Sequence, residues 1–367
     1  MIKHLPVARP YFFGKEHEYI DQALHSMQIS GAGAFVDRME DLIAKAAATP
    51  HAIVVSSGTA ALDLAFEALG VKPGDEVIVP DFTMFAPVAA LLRRGAVVVP
   101  VDIDATWNLD PGRVAEALTA RTKGILMVHT YGHPADATRI CELARQRGIW
   151  VVEDAAEALG AKLGGRAVGS FGNVATFSFY ANKVVTSGEG GAVVTRDSRL
   201  AARLRALRNL CFGDGWAQRF VHDGIGFNFR LSNVLAAIGC AQLEHLDTAL
   251  ASKRRTAVYY RERLSRIRGL ILPPDSSRVL HSYWVFGVLL PHGHDRSEVA
   301  ARLAEAGIDT RPFFHPVHSQ PCVPAMQGAF PNSDMLAERG IYLPSFVGIS
   351  KQDIDRVSDA LKKALAA

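Results

Sequence analysis

Residues 174–195 read VATFSFYANKVVTSGEGGAVVT, and this stretch decides the fold and indicates the chemistry. Two short apolar runs, 174–178 and 191–195, predict strands, and the glycines between them predict a turn. Lys183 follows the first strand closely, so we expect its amine at the edge of a sheet. A lysine that loses hydration there has a lowered pKa and can attack an aldehyde as a Schiff-base lysine. The alternative is an exposed lysine beside a turn, as most lysines are.

Toward the N-terminus, short apolar runs alternate with segments of helical period. This alternation is typical of an α/β domain whose central sheet is mostly parallel. The predicted strands are 51–56, 76–80, 97–101, 125–129 and 149–153, and the predicted helices are 59–69, 84–93, 111–118 and 136–147. After residue 195 the pattern predicts helices at 200–209, 232–245 and 248–267, and the last of these is long enough to join two domains. A strand at 283–290 and helices at 296–306 and 351–366 then predict a separate, smaller α+β domain. We therefore assign residues 1–245 to a large domain and residues 246–367 to a small C-terminal domain.

The composition is that of an ordinary globular protein, because 49% of the 367 residues are hydrophobic and 21% are charged. A net charge of +3 argues against a nucleic-acid-binding surface. The four cysteines form no CxxC pair, so we expect no metal site, no disulfide and a cytoplasmic location. No run approaches the roughly 18 apolar residues of a membrane span, and the first residues lack a signal-peptide core, so we expect no membrane association.

A phosphate site is suggested by residues 56–62, SSGTAAL, which lie between a predicted strand and a predicted helix. Small side chains there leave backbone N–H groups accessible at a helix N-terminus, where the helix dipole also favours an anion. The alternative is a plain turn with a threonine cap. No lysine follows in the pattern of a Walker loop.

Asp154 ends the apolar run IWVVED at 149–154, so its carboxylate is expected at the carboxyl edge of the sheet. Open α/β folds bind their ligands at this edge. A carboxylate withdrawn from water needs a cation or hydrogen-bond donors, and a protonated pyridine nitrogen is one suitable cation. The alternative is an aspartate that caps a helix.

Six motifs in this order resemble the DegT family of pyridoxal-phosphate sugar aminotransferases, in particular its perosamine-synthase-like subgroup. They are SSGTAAL at 56–62, VHTYGHPAD at 128–136, VVEDAAEALGA at 151–161, SFYANKVVTSGEGG at 178–191, GFNFRLSN at 226–233 and RPFFHPVHSQP at 311–321. The resemblance covers nearly the whole chain. It implies the fold type I architecture of pyridoxal-phosphate-dependent transferases, with pyridoxal 5'-phosphate as cofactor.

The resemblance also implies roles for individual residues. Lys183 would bind the cofactor covalently, and Asp154 would pair with its ring nitrogen. Asn228 would reach the cofactor phosphate of the partner subunit in a homodimer with shared sites. The phosphate ligands within one chain would be Gly58, Thr59 and Ser178.

The sequence departs from the family pattern at two positions. Met84 stands where many relatives place an aromatic residue that stacks on the cofactor ring, so the thioether, Phe82 or Phe85 could cover it. Glu157 stands where many relatives have a glutamine that hydrogen-bonds the cofactor's phenolic oxygen. A glutamate could do so only when it is protonated or when a water molecule bridges the two groups.

Several further residues match motifs near the sugar in this family. Arg230 and His318 are candidates for binding an oxyanion of the sugar nucleotide or the donor, although His315 and His318 could equally be ordinary loop histidines. The segment that contains Ser30 and Gly31 matches a substrate loop. His129 is expected to be a core histidine.

We therefore expect an aminotransferase that moves an amino group from an amino acid, glutamate by analogy, to C4 of a nucleotide-linked 4-keto-6-deoxy sugar. Alternatives are amination at C3, a free or antibiotic-linked sugar as substrate, and a pyridoxal-phosphate-binding regulator without turnover. Related sugar deoxygenases carry histidine in place of the Schiff-base lysine, and Lys183 argues against that activity. The expected partners are the nucleotide sugar, the amino-acid donor and a second copy of the chain.

Overall fold

The predicted α/β class is confirmed by a computed structural model that describes residues 4–213, 215–324, 326 and 328–366. The large unit contains a seven-stranded sheet in the order β1-β9-β8-β5-β4-β2-β3. Its strands are β1 (His51–Val55), β2 (Glu76–Pro80), β3 (Val97–Val101), β4 (Thr122–Val128), β5 (Trp150–Asp154), β8 (Val174–Ser178) and β9 (Gly191–Thr195). The short strands β6 (Lys162–Leu163) and β7 (Arg166–Ala167) form a hairpin, and β10 (Val279–Leu280) pairs with β6 to complete a second, three-stranded sheet.

Helices cover both faces of this sheet because its strands are apolar on both sides. Ile53 and Val55 of β1 face one core, whereas Ala52 and Val54 face another, as expected from the two-residue period of a strand. The helices of the large unit are α1 (Glu16–His25), α2 (Ala34–Ala47), α3 (Gly58–Leu69), α4 (Ala86–Arg93), α5 (Pro111–Ala117), α6 (Ala137–Arg147), α7 (Ser198–Arg208) and α8 (Asn233–Leu243).

The strand directions bring the sequence motifs to one edge. The five strands β8, β5, β4, β2 and β3 run parallel to one another, whereas β9 runs antiparallel to both β1 and β8. Gly191, the first residue of β9, therefore pairs with Ser178 on one side and with Val55 on the other. The phosphate-binding turn after β1 and the end of β8 are thus neighbours, with Asp154 at the end of the next strand.

The part of the chain after residue 245 contains the long helix α9 (Leu246–Leu264) and a three-stranded antiparallel sheet. Its other elements are β10 (Val279–Leu280), β11 (Phe286–Leu289), α10 (Arg296–Glu305), β12 (Arg311–Pro312), α11 (Pro331–Arg339), β13 (Gly340–Leu343) and α12 (Lys351–Ala366). Near the N-terminus, Leu5 pairs with Ile308 and belongs to the core of this unit. The domain boundary near residue 245 stays a prediction.

Several local expectations differ from the structure. The strand predicted at 283–290 spans only Phe286–Leu289, and the strand predicted at 125–129 begins at Thr122. Met84 lies in the loop before α4, which begins at Ala86, so the predicted helix start at 84 was wrong by two residues. The helices α1, α2 and α11 were not predicted. No helix among the described residues is both long enough and apolar enough to cross a membrane.

Candidate active site

A cavity of about 550 Å³ opens at the carboxyl edge of the central sheet. Residues from the ends of β1, β2, β5 and β8 and from the loops that follow them line it. The cavity thereby brings together all but one of the residues that the sequence assigned to the cofactor, namely Gly58, Thr59, Met84, Asp154, Glu157, Ser178 and Lys183.

The turn into α3 forms a cradle suited to a phosphate. The Ser57 hydroxyl caps the helix by accepting a hydrogen bond from the Ala60 N–H at 3.1 Å, whereas the first N–H groups of a helix have no partner within it. A Cβ atom added to Gly58 would lie 2.9 Å from the Cβ atom of Ser178, so glycine is needed for this close approach. A side chain on Gly191 would collide with the Ser57 carbonyl.

Asp154 lies at the end of β5 with only 5% of its surface exposed. Its Oδ1 atom accepts a hydrogen bond from the Ala156 N–H at 3.0 Å. Burial raises the pKa of the Asp154 carboxyl, while the hydrogen bond from Ala156 and the charge of Lys183 oppose that shift. Among the described residues no cationic side chain lies within ion-pair distance of Asp154, so this buried acid is suited to a cationic ligand.

The neighbouring acid, Glu153, has a structural role instead. As adjacent strand residues, Glu153 and Asp154 point to opposite faces of the sheet. His129 accepts the Ala135 N–H at Nδ1, so its Nε2 atom donates to Glu153 at 3.1 Å. The Glu153 carboxylate also accepts three backbone N–H groups, from Gly169, Phe171 and Gly172. His129 is fully buried and is a core histidine, as expected.

Lys183 reaches the same cavity from the loop between β8 and β9. Its Nζ atom lies 3.8 Å from the ring centroid of Trp284, whose indole N–H donates to the carbonyl of Asn182 at 2.9 Å. Burial lowers the pKa of the Lys183 amine, although the Glu157 and Asp154 carboxyls oppose that shift. A lowered pKa favours the unprotonated amine, which is the nucleophilic form.

Glu157 is also buried, with 6% of its surface exposed. Its Oε2 atom accepts the Tyr131 N–H at 2.6 Å. Burial raises the pKa of Glu157 to about 7, so this carboxyl group can take up a proton near neutral pH.

Of the three candidates to cover a cofactor ring, Met84 lines the cavity and is 50% exposed. Phe82 is fully buried and packs against Tyr131 and Phe314. Phe85 packs on the core beneath α3 and α4. Among these three side chains, the thioether of Met84 is therefore the one available at the cavity surface.

The residues assigned to the sugar lie outside the cavity of their own chain. His318 pairs with the buried Asp81 through Nδ1 at 2.7 Å and stacks on Phe330, so it anchors its loop. His315 is exposed. Arg230 packs against Gly31, where an added Cβ atom would lie 2.6 Å from the Cβ atom of Arg230.

Ser30 and Asn228 lie near this arginine and are exposed. The Ser30 carbonyl accepts the Asn233 N–H at 2.6 Å. Asn228 pairs through its backbone with Asn209, whose side chain accepts a hydrogen bond from Arg230 at 2.5 Å. The segment 30–31 and the segment 228–230 thus form one surface, and none of these residues lines the cavity of the same chain.

The residues present fit pyridoxal phosphate. A glycine-lined helix N-terminus beside a serine suits its phosphate, a buried acid without an ion-pair partner suits its ring nitrogen, and a desolvated amine suits its aldehyde. Sequence reasoning assigned no role to several other residues of the lining, among them Trp284, Arg311 and Tyr342. Trp284 had only a strand pattern around it, and nothing local indicated its contact with Lys183.

Comparison with known proteins also finds similarity to aminotransferases over nearly the whole chain. Residues 13–362 match the DegT/DnrJ/EryC1/StrS aminotransferase family. The chain is 40% identical to the GDP-perosamine synthase of Escherichia coli O157:H7, with 99% of each chain covered. It is 33% identical to a putative pyridoxal phosphate-dependent aminotransferase of Bacillus subtilis strain 168, with 98% of this chain and 96% of the relative covered. A solved structure, the aminotransferase TlmJ from Streptoalloteichus hindustanus, has a TM-score of 0.95 at 32% identity and 99% coverage of both chains.

Proposed function

The chain belongs to the DegT/DnrJ/EryC1/StrS aminotransferase family, whose members use pyridoxal phosphate, and from this premise we propose its substrates and residue roles. It transfers an amino group from glutamate to C4 of a GDP-linked 4-keto-6-deoxy sugar. The observation that carries the proposal is one cavity that holds Lys183, Asp154 and the phosphate cradle at Gly58 and Ser178. The similarity to a GDP-perosamine synthase supports the nucleotide and the position on the sugar.

Bound pyridoxal phosphate would supply an aldehyde that exchanges amino groups and a ring that accepts electrons. Lys183 takes a proton from the α-carbon of the amino-acid donor and later delivers a proton to the sugar carbon that receives nitrogen. Asp154 keeps a proton on the ring nitrogen. The N–H groups at Gly58 and Thr59, together with the Ser178 hydroxyl, bind the phosphate.

We also propose a homodimer in which each chain completes its partner's site. The residues between α7 and α8 expose large apolar side chains, including Trp216 (94% exposed), Phe220 (79%) and Ile225 (95%), and exposed apolar groups on a soluble surface mark interfaces. Asn228 lies just beyond them. This arrangement supports a role for Asn228, Arg230 and the segment 30–31 at the partner's cavity. The free cysteines support a reducing, cytoplasmic compartment.

The proposed function is tested with purified protein that has been loaded with pyridoxal phosphate. GDP-, UDP- and dTDP-linked 4-keto-6-deoxy sugars are each incubated with glutamate, and the products are analysed by mass spectrometry and NMR. We expect a 4-amino sugar from the GDP substrate and no product with Lys183→Ala. A 3-amino product, or turnover only with another nucleotide, would contradict the proposed substrate while leaving the aminotransferase activity in place.

A further inference from the structure

We propose that Glu157 is protonated when the cofactor is bound and donates a hydrogen bond to the cofactor's phenolic oxygen, so that cofactor binding weakens as the pH rises. This inference rests on the proposed function only in assigning the cofactor to this cavity. It gives Glu157 a positioning role that a glutamine would perform without any dependence on pH.

The backbone holds the Glu157 carboxyl group in one orientation. Tyr131 has a left-handed conformation, with φ of 55°, which is uncommon for a residue with a side chain. Its N–H donates to Oε2 of Glu157, while the Ser282 hydroxyl donates to the Glu157 carbonyl at 3.0 Å. Within the described part of the chain, the bond from Tyr131 is the only hydrogen bond to this carboxyl. Because this bond engages Oε2, the Oε1 atom remains available to bind a ligand in the cavity that Glu157 lines.

The groups around Glu157 decide its protonation. The titratable side chains that face it are Lys183 and Asp154 at the cavity, Tyr131 from the turn after β4, and Tyr342 from β13. Burial raises the pKa of both tyrosine hydroxyls well above their ordinary value, so they stay neutral. Burial also raises the pKa of Glu157. Asp154 adds to this increase, whereas Lys183 and the hydrogen bond from Tyr131 oppose it.

The chemistry of the ligand selects the protonated form. The phenolic oxygen of pyridoxal phosphate carries negative charge when its proton moves toward the neighbouring nitrogen. A carboxylate would repel that oxygen across a site of low dielectric constant, whereas a carboxylic acid is a hydrogen-bond donor. Bound cofactor should therefore raise the pKa of Glu157 further, and by linkage a higher pH should weaken binding.

The test compares cofactor binding by the wild type, Glu157→Gln and a control variant, Glu116→Gln. Glu116 lies on α5, is exposed and does not line the cavity. The dissociation constant of pyridoxal phosphate is measured by absorbance and fluorescence from a pH of about 6 to about 9. The phosphate contributes equally to the pH dependence in all three proteins. The charge of Glu157 also raises the pKa of Lys183, so the comparison is repeated in a Lys183→Ala background, where that amine is absent. We expect the ratio of the wild-type constant to the Glu157→Gln constant to rise up to about tenfold per pH unit above neutrality, and Glu116→Gln to follow the wild type.

A second measurement uses the wild type alone, in case Glu157→Gln fails to fold. An infrared difference spectrum between cofactor-loaded and cofactor-free protein should show the band of a protonated carboxylic acid appearing on binding. A ratio of dissociation constants that does not change with pH, or a loaded wild type without this band, would overturn the proposal. Neither experiment contains a sugar or an amino donor, so an error in the proposed substrates would leave both results unchanged.

Discussion

Replacement of Asp154 by asparagine separates the chemical role of this acid from its contribution to the fold. The two side chains have nearly the same shape, and the Oδ1 atom of an asparagine can keep the hydrogen bond from the Ala156 N–H, which is 3.0 Å long. The raised pKa of the buried Asp154 means that its ionised form is less stable in the folded protein than in water. Without cofactor, Asp154→Asn should therefore unfold at a temperature no lower than the wild type.

The effect on catalysis should be large. A pair of unit charges about 4 Å apart, at an effective dielectric constant of about 20, attract each other by roughly 4 kcal/mol. An amide keeps little of this attraction for a protonated ring nitrogen. If this entire attraction stabilises the transition state, its loss lowers kcat about 10³-fold, since about 1.4 kcal/mol corresponds to a factor of ten.

The assay follows the half-reaction with glutamate by stopped-flow absorbance and compares Asp154→Asn with Glu153→Gln. Glu153 accepts three backbone N–H groups and the His129 Nε2 proton. Its replacement should lower the free energy of unfolding by about 1–3 kcal/mol because a buried donor loses its acceptor. Its half-reaction rate should change far less than that of Asp154→Asn. Turnover by Asp154→Asn within about tenfold of the wild type would refute the assignment.

The lysine, the contact between subunits and the buried His133 can each be tested by substitution. Lys183→Ala should fold, but borohydride reduction of the loaded protein should leave no cofactor attached; an attached cofactor would identify another lysine as the anchor. Mixing inactive Lys183→Ala with inactive Asn228→Ala under subunit exchange should restore activity in hybrid dimers, whereas a fully active monomer by light scattering would contradict shared sites. Burial lowers the pKa of His133 to about 4, so its neutral form is the one that folding favours. As the pH is lowered from about 6.5 to about 4, the free energy of unfolding should then fall by up to about 1.4 kcal/mol per pH unit. Urea titrations at several pH values should show a smaller slope for His133→Gln.

The class of the fold and most residues of the candidate cofactor site could be predicted from the sequence. Runs such as VATFS at 174–178 and GAVVT at 191–195 were predicted with their true bounds, because apolar β-branched residues between glycines leave few other conformations. Gly58, Asp154, Ser178 and Lys183 follow or end such runs, and parallel strands place their carboxyl ends at one edge. Local pattern therefore located the residues that now line one cavity.

Contacts between segments that are distant in the sequence form only in the folded chain. Hydrophobic periodicity reports that a residue is buried but not which residue it meets, so the sequence could not place Trp284 against Lys183. The same reason hid the Tyr131 N–H on Glu157, which depends on a left-handed residue in a turn. The sequence showed that Glu157 could serve the cofactor only with a proton or a bridging water. The burial that raises its pKa arises only when the folded chain encloses it.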